Sequence, residues 1–521
     1  MSAPPSERPS SRSISAPDPQ TPSSREPRPP LRALLGNRLY RIYACLAIVI
    51  AGITSHTNFG HLCGDEYSQI FEFAAWKLGY VEHQDLRLWE FDSQMRPSIQ
   101  IWAVVGLYRL LGLITSEVNP FLVNYLIYFL SALLSIVSIL VFTGAFIHRV
   151  TPKYRDHFVI LSLFSWLVLY TNPHFNSENL CGHLLLLGVG VLYARIDNPS
   201  WQQLLSAGLF LGLSFCCRFQ AGFAILGLTA WFFIMAWKRN QLASWVLLMA
   251  CLVLSVGFFN VLLDHWFYGR WVFSPYNYYY QNIATGTMDR SSGTSPWFAY
   301  LFLVAIYLPF GPAYIAAFFH QVIRYRLDLL TWIITPFVLF HVLIGHKEVR
   351  FLLPMLGFMP ILIMVALEDY RNRYQWLDAH LHSIIKIVWI VNLIACLSLL
   401  IPSATEIGGW RYLYDHYKKP TILYFQPSVH QKLLYYKRPN LQVLNWKSGE
   451  PTPCPPGYNV VIAISGKSND PIPAIPLVYS FFPISLNSVL PAGIKHSVGY
   501  FDLYELQNVE DDRSKAHLSL P

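Results

Sequence analysis

The chain has 521 residues, of which 54% are hydrophobic and only 13% charged, with a formal net charge of +8. Soluble chains carry about 25% charged residues, so the several water-soluble domains that such a length would otherwise make could not be covered, and the mean hydropathy is +0.35. A mild positive balance over so long a chain also excludes the dense basic face on which nucleic-acid binding rests.

Residues 1–38 are dominated by Pro, Ser and Arg and hold too few apolar groups to offset the entropy of ordering, which predicts a disordered tail. No small-residue cleavage site follows the first apolar run. Seven arginines between Arg8 and Arg41, against three acids, anchor that tail in the cytoplasm. Apolar runs of crossing length follow at roughly 40–56, 119–147, 158–172, 179–194, 202–217, 219–237, 242–263, 297–320, 329–345, 351–367 and 383–402, about eleven transmembrane helices. Alternation then places the basic loops at Arg149 to Arg155, Arg195, Lys238 to Arg239, Arg324 to Arg326 and Arg371 to Arg373 on the cytoplasmic side. That topology requires residues 98–113, which carry Tyr108 and Arg109, to lie in the interface instead of crossing.

The outer side receives the first loop, 57–118, shorter loops at 171–178 and 346–350, and the 264–296 loop. Beyond Ile401 the composition turns polar, with short β-like runs at Thr421 to Phe425, Leu441 to Trp446, Asn459 to Ser465, Val478 to Phe482 and Gly499 to Leu506. The expected architecture is therefore an all-α polytopic membrane protein, residues 39–402, with a small C-terminal α/β extramembrane domain, residues 403–521, on the outer face. Cys63 and Cys454 share that side and are candidates for a disulfide, and no cysteine spacing matches a zinc site.

Three outer clusters carry candidate chemistry. Asp65 and Glu66 follow the first span directly and are succeeded by aromatic-rich segments and Arg96. A carboxylate at the bilayer surface suits base catalysis on a lipid-borne substrate, although two acids at a helix start also serve its dipole. His346, Lys347, Glu348 and Arg350 lie between two apolar runs, where fixed cations would stabilise a phosphate leaving group, or would snorkel to lipid headgroups. The third set comprises Asn176, Glu178, Arg218, Asp264, Tyr268, Tyr276 and Asn277, and here Arg218 is notable as an ionisable group between apolar runs. The aromatics at 276–280 could stack on sugar faces or form an interfacial belt. A transporter or lipid flippase would also have about a dozen spans, but its charges belong near the bilayer midplane.

Together these clusters resemble glycosyltransferase family 22, the Alg9-like and GPI-type lipid-dependent mannosyltransferases. His346-Lys347-Glu348-Val349-Arg350-Phe351 matches that family's HKExRF signature, and Gly64-Asp65-Glu66-Tyr67 is similar to its first-loop acidic pair. Cys217-Arg218-Phe219-Gln220 and Asp264 to Trp271 resemble two further family stretches, while Gly64, Phe219-Gln220 and Ser295 to Phe298 depart from the usual residues. The resemblance implies a GT-C fold and inverting transfer of a mannosyl unit from a polyprenyl (dolichyl) phosphate to a lipid-linked glycan or GPI precursor. It implies an active face on the luminal side of the endoplasmic reticulum membrane, or the periplasmic side of a bacterial inner membrane with a different sugar. In this reading Asp65 is the base, Glu66 orients the acceptor or shares that role, and His346, Lys347 and Arg350 hold the departing phosphate with Glu348 behind them. Arg96, Arg218, Asn176, Glu178, Asp264, Tyr268, Tyr276 and Asn277 are implied substrate contacts, with no cofactor or obligatory metal.

Overall fold

The structure, a computed structural model, describes residues 31–83, 86, 89–425, 433–446, 452–453, 455–465, 477–480 and 501–506. Most of the N-terminal tail, Cys454 with its candidate disulfide, and parts of the last two β-like runs lie outside the described residues.

Helices begin where polar caps meet apolar runs. The Asn37 and Asn119 side chains accept from the backbone N–H groups of Leu39 and Phe121, each at 2.9 Å, and so start Arg38–Thr57 and Pro120–Phe146. Pro120 fills the first turn of the latter, where its missing N–H costs nothing. Among the described residues six helical segments are long and apolar enough to cross a membrane: Arg38–Thr57, Pro120–Arg149, Ala221–Lys238, Leu242–Tyr268, Val349–Arg373 and Gln375–Leu400. Trp201–Cys217 and Leu329–Leu343 are shorter apolar helices.

Two apolar runs fold less simply than hydropathy suggests. The run at 297–320 becomes two helices, Ala299–Tyr307 and Gly311–Arg324, because Pro309 cannot continue the first and Phe310 takes a left-handed φ of 62°. The run at 158–172 is likewise broken at Ser165, which is extended between Arg155–Phe164 and Trp166–Thr171.

The bundle is held by one large apolar cluster drawn from these helices. Small residues set its tightest crossings. A Cβ on Gly190 would lie 2.9 Å from the Phe142 backbone, and one on Gly227 would collide with the Trp332 carbonyl oxygen.

A second cluster sits at one end of the bundle. It joins the first loop (Tyr67, Phe71, Phe73, Phe91) to helix Ile99–Gly112, to the start of Pro120–Phe146 and to the C-terminal segment through Trp410, Tyr435 and Tyr436. Helix Ile99–Gly112 thus belongs to the packing of the first loop. The C-terminal segment forms helix Thr405–His416 and a five-stranded sheet of strands β1 (Thr421–Phe425), β2 (Leu441–Asn445), β3 (Asn459–Ser465), β4 (Leu477–Ser480) and β5 (Phe501–Leu506), in the order β2-β1-β3-β5-β4. Strand β1 is parallel to β2 and β3, with Leu423 facing Val443 and Val461, and β5 runs antiparallel to β3 and β4. All five residues of β1 are buried, as a central strand covered on both faces requires.

Candidate functional site

Asp65 lies in the short helical turn Gly64–Glu66, immediately after Cys63, and Arg350 opens the segment Val349–Phe358 that leads into a span. Far apart in sequence, the two side chains meet: the Asp65 Oδ2 atom is 2.8 Å from an Arg350 terminal nitrogen. The guanidinium is used in every direction. It donates to both Glu348 oxygens, at 2.5 and 2.9 Å, and through its other terminal nitrogen to the Cys63 sulfur at 2.8 Å. His346 completes the knot, with Nε2 2.9 Å from Glu348. Such a planar fork is the geometry that recognises carboxylate and phosphate alike.

The electrostatics follow from these neighbours. Partial desolvation pushes the Asp65 carboxyl up, but the positive charges of Arg350, Arg96 and Arg218 outweigh it and hold the group below its usual range. The Asp65 side chain is still 45% exposed, so it remains open to an incoming molecule. Glu348 is also held below its ordinary range, with burial outweighed by the Arg350 and His346 contacts. Burial, aided by the nearby Glu178 charge, pushes the Cys63 thiol up to about 12, which keeps it neutral.

Glu66 points elsewhere. Its side chain has no exposure and accepts the backbone N–H groups of Leu62 and Phe175, each at 2.7 Å, with His174 Nδ1 at 3.5 Å. Burial would raise its pKa, but His174 and these donors reverse the balance and keep the carboxylate ionised. The expectation that Glu66 meets the acceptor therefore does not match its placement: it ties the first loop to the turn at 172–176, behind Asp65. Consecutive helical residues diverge by about 100° (3.6 residues per turn), so one acid stays exposed and the other faces the core.

Several other expected contacts are also engaged within the protein. Lys347 is buried, and its Nζ donates to the carbonyls of Ser295, at 3.1 Å, and Ile344, so it fastens the loop before Trp297 and does not point at Asp65. Asp264 is fully buried and accepts from Ser98 N–H, Ser98 Oγ and Ser274 Oγ at 2.8, 2.7 and 2.5 Å, with Asn260 at 3.2 Å. Tyr268 donates to the Arg96 carbonyl and Asn277 to the Gln94 carbonyl. Asn176 caps the helix Ser177–Tyr193. Tyr276 alone of this group is well exposed, at 59%.

Arg96 and Arg218 are brought close enough for their charges to act on Asp65, each tied to a buried acid: Arg96 to Glu90 at 2.5 Å and Arg218 to Glu178 at 2.9 Å. Arg218 also lies 4.9 Å over the Phe351 ring. Glu90 and Cys63, which lie in the same first-loop stretch as Asp65 and Arg96 but carry no expected role in the site, and His174 all join this constellation. Glu90 was legible as the only acid in the Trp89–Phe91 aromatic run beside Arg96, whereas nothing local marks His174. Among the described residues no three His, Cys, Asp or Glu side chains converge as a metal site would require.

Beside this cluster an apolar cavity of about 310 Å³ starts at Val349, next to Arg350, and is walled by Tyr300, Val304, Val338, Leu352 and Leu356. A second, of about 240 Å³, shares Leu167 and Tyr314 with it and continues past Phe310 and Trp389. The two cavities thus have a common wall at Leu167 and Tyr314, and the larger one comes as far as the residue that precedes Arg350.

Comparison with known proteins places this geometry in context. The model of the Alg9-like mannosyltransferase family matches residues 41–407. GPI mannosyltransferase 3 of Debaryomyces hansenii is 24% identical over 63% of this chain and 59% of its own length. GPI alpha-1,2-mannosyltransferase 3 of mouse is 24% identical over 67% and 62%. A shorter match, 33% identical, covers 28% of this chain and 20% of GPI mannosyltransferase 3 of Aspergillus fumigatus. The chain thus spans between a fifth and about three fifths of the length of these relatives. Among solved structures, ArnT from Cupriavidus metallidurans bound to undecaprenyl phosphate has a TM-score of 0.52 at 14% identity, covering 82% of this chain and 93% of that one. The shared fold is GT-C.

Proposed function

We propose, because this chain belongs to the Alg9-like mannosyltransferase family, that it moves a mannosyl unit from a polyprenyl (dolichyl) phosphate to a hydroxyl of a lipid-linked glycan of the GPI-precursor type. The reaction takes place at the non-cytosolic face, and the eukaryotic relatives favour the endoplasmic reticulum membrane. The observation that carries this reading is the Asp65 to Arg350 contact, with an apolar cavity that begins at the adjoining Val349. A polyprenyl phosphate has the matching parts, an isoprenoid chain for the cavity and an anion for the arginine. It is also the ligand class of ArnT, which shares the fold.

At rest Asp65 occupies one of the Arg350 donors. When the donor lipid's phosphate reaches Arg350 it competes for that position and partly neutralises the charge that holds the Asp65 pKa down. The carboxylate is released and becomes a stronger base at the moment it is needed. The acceptor hydroxyl then attacks the anomeric carbon from the face opposite the phosphate, and its proton passes to Asp65. The bond between the anomeric carbon and the phosphate oxygen breaks, its electron pair leaves with the polyprenyl phosphate, and the anomeric configuration inverts. Arg350 meets the charge that grows on the leaving oxygen, with His346 and Glu348 fixing its fork. Glu66, which does not touch substrate, positions Asp65 through the first loop.

Purified protein given labelled polyprenyl-phosphate mannose and a GPI-type glycolipid should yield an acceptor one hexose heavier, with inverted linkage. Cells lacking the chain should accumulate the glycolipid short by that mannose. Transfer only from a nucleotide sugar, or no change in the glycolipid pool, would overturn the assignment.

A further inference from the structure

A crevice away from the Asp65 cluster is built for a different molecule. It lies between Ser55, His56 and Phe59 at the end of the first span, Asn119 to Tyr125 at the start of Pro120–Phe146, and Arg411 with Asp415 on helix Thr405–His416, and it encloses about 220 Å³. Its wall holds two buried polar side chains, Ser55 at 0% exposure and Asn124 at 3%. The Ser55 Oγ and Asn124 Nδ2 atoms have no hydrogen-bond partner among the described residues, whereas the Asn124 Oδ1 atom accepts from Tyr436. Unanswered buried donors are costly, so they point to acceptor oxygens supplied from outside the chain.

The rim and the level of the crevice narrow its occupant. Arg411, held 5.3 Å over the Phe59 ring, and Asp415, at 3.9 Å from it, offer opposite charges to the mouth. The wall lies where two spans end, the level at which bilayer phosphates sit. Leu122 in the wall is 46% exposed and Ile53, on the last turns of the first span, is 49% exposed, so both spans offer apolar surface near the crevice.

We propose that this crevice binds the zwitterionic headgroup of a membrane phospholipid. The phosphodiester accepts from Ser55, Asn124 and Arg411, the ammonium faces Asp415, and the acyl chains follow Ile53 and Leu122. A single sugar ring would fit the volume and could hydrogen-bond the charge pair, but it would leave the exposed apolar Ile53 and Leu122 unused. The inference does not depend on the transferase reading, since it shares no residue with the Asp65 and Arg350 cluster.

The test is thermal unfolding of the detergent-purified full chain titrated with phosphatidylethanolamine, with native mass spectrometry counting bound lipid. One lipid per chain and a saturable rise in Tm are expected. Ser55→Val and Arg411→Gln should each raise the half-saturating concentration at least tenfold. Asp415→Asn should lower the response to that of phosphatidylglycerol, which lacks the ammonium. Arg411 and Asp415 are surface residues, so their variants remain informative even where Ser55→Val fails to fold. Equal titrations for wild type and both rim variants would overturn the proposal, as would stabilisation by methyl mannoside with none by phosphatidylethanolamine.

Discussion

Replacing Arg350 by lysine keeps the charge and removes the fork. In the structure one guanidinium serves Glu348 twice, Asp65 once and the Cys63 sulfur once. A lysine ammonium would reach one of these acceptors, and could not hold a phosphate oxygen while staying fixed by Glu348. Loss of one preorganised donor to a developing oxyanion costs about 2.7–4 kcal/mol, or about 100- to 1,000-fold in rate. The stability cost is much smaller, because the Asp65 and Glu348 side chains are 45% and 36% exposed and solvent-facing pairs contribute only about 0–1 kcal/mol. Arg350→Lys should therefore lower kcat/KM for polyprenyl-phosphate mannose by two to three orders of magnitude (about 10²–10³) while Tm falls by only a few degrees. The assay is radiolabel transfer at subsaturating donor, with intact protein counted in parallel. Activity within about threefold of wild type (under 1 kcal/mol) would refute the phosphate role, as would a loss accounted for entirely by unfolded protein.

Other perturbations separate the remaining parts. Glu66→Gln exchanges one accepting oxygen for a donor against two backbone N–H groups, and should cost about 2–4 kcal/mol of stability, read by thermal unfolding. Because the folded Glu66 pKa is depressed, wild type should lose that stabilisation as pH falls through and below the ordinary carboxylate range, and the variant should lack this acid sensitivity. Asp65 must be ionised to accept a proton, so kcat/KM should fall only below the usual carboxylate pKa of about 4; Arg96→Gln, which removes one of the charges depressing Asp65, should move that acid limb upward. Val338→Trp in the apolar cavity should raise KM for long-chain donors more than for short-chain ones, and equal effects would dissociate that cavity from the lipid chain. Gly227→Ala drives a methyl group into the Trp332 carbonyl and should destabilise the bundle by about 1–3 kcal/mol or more, visible as a lower Tm.

The charges proved easier to read from sequence than their directions. Alternation of spans put the Asp65 and Arg350 loops on one side, and the structure brings those two side chains into contact. Spacing could not show that Glu66 turns inward, since its partners at Leu62, His174 and Phe175 are set by tertiary packing. The same limit applies to Asp264: its Ser98 contact joins two distant segments, and a saturated buried carboxylate looks in sequence like a catalytic one. Lys347 shares the loop of Arg350, yet local backbone geometry sends it to the Ser295 carbonyl. The C-terminal β-strands were legible as β-branched and aromatic runs. The docking of that segment was not, because it runs through the short turn Leu434–Tyr436 between β1 and β2, where the Tyr435 N–H donates to the hydroxyl of Tyr67, two residues after Asp65, across most of the chain.

Single-turnover transfer by Asp65→Asn, measured together with donor binding, tests the central claim most directly. The substitution preserves shape, removes the proton acceptor and leaves Arg350 a neutral partner in place of a charged one. Retained binding of polyprenyl-phosphate mannose with sugar transfer reduced about 100- to 10,000-fold is the predicted result. Transfer at near the wild-type rate would contradict the account.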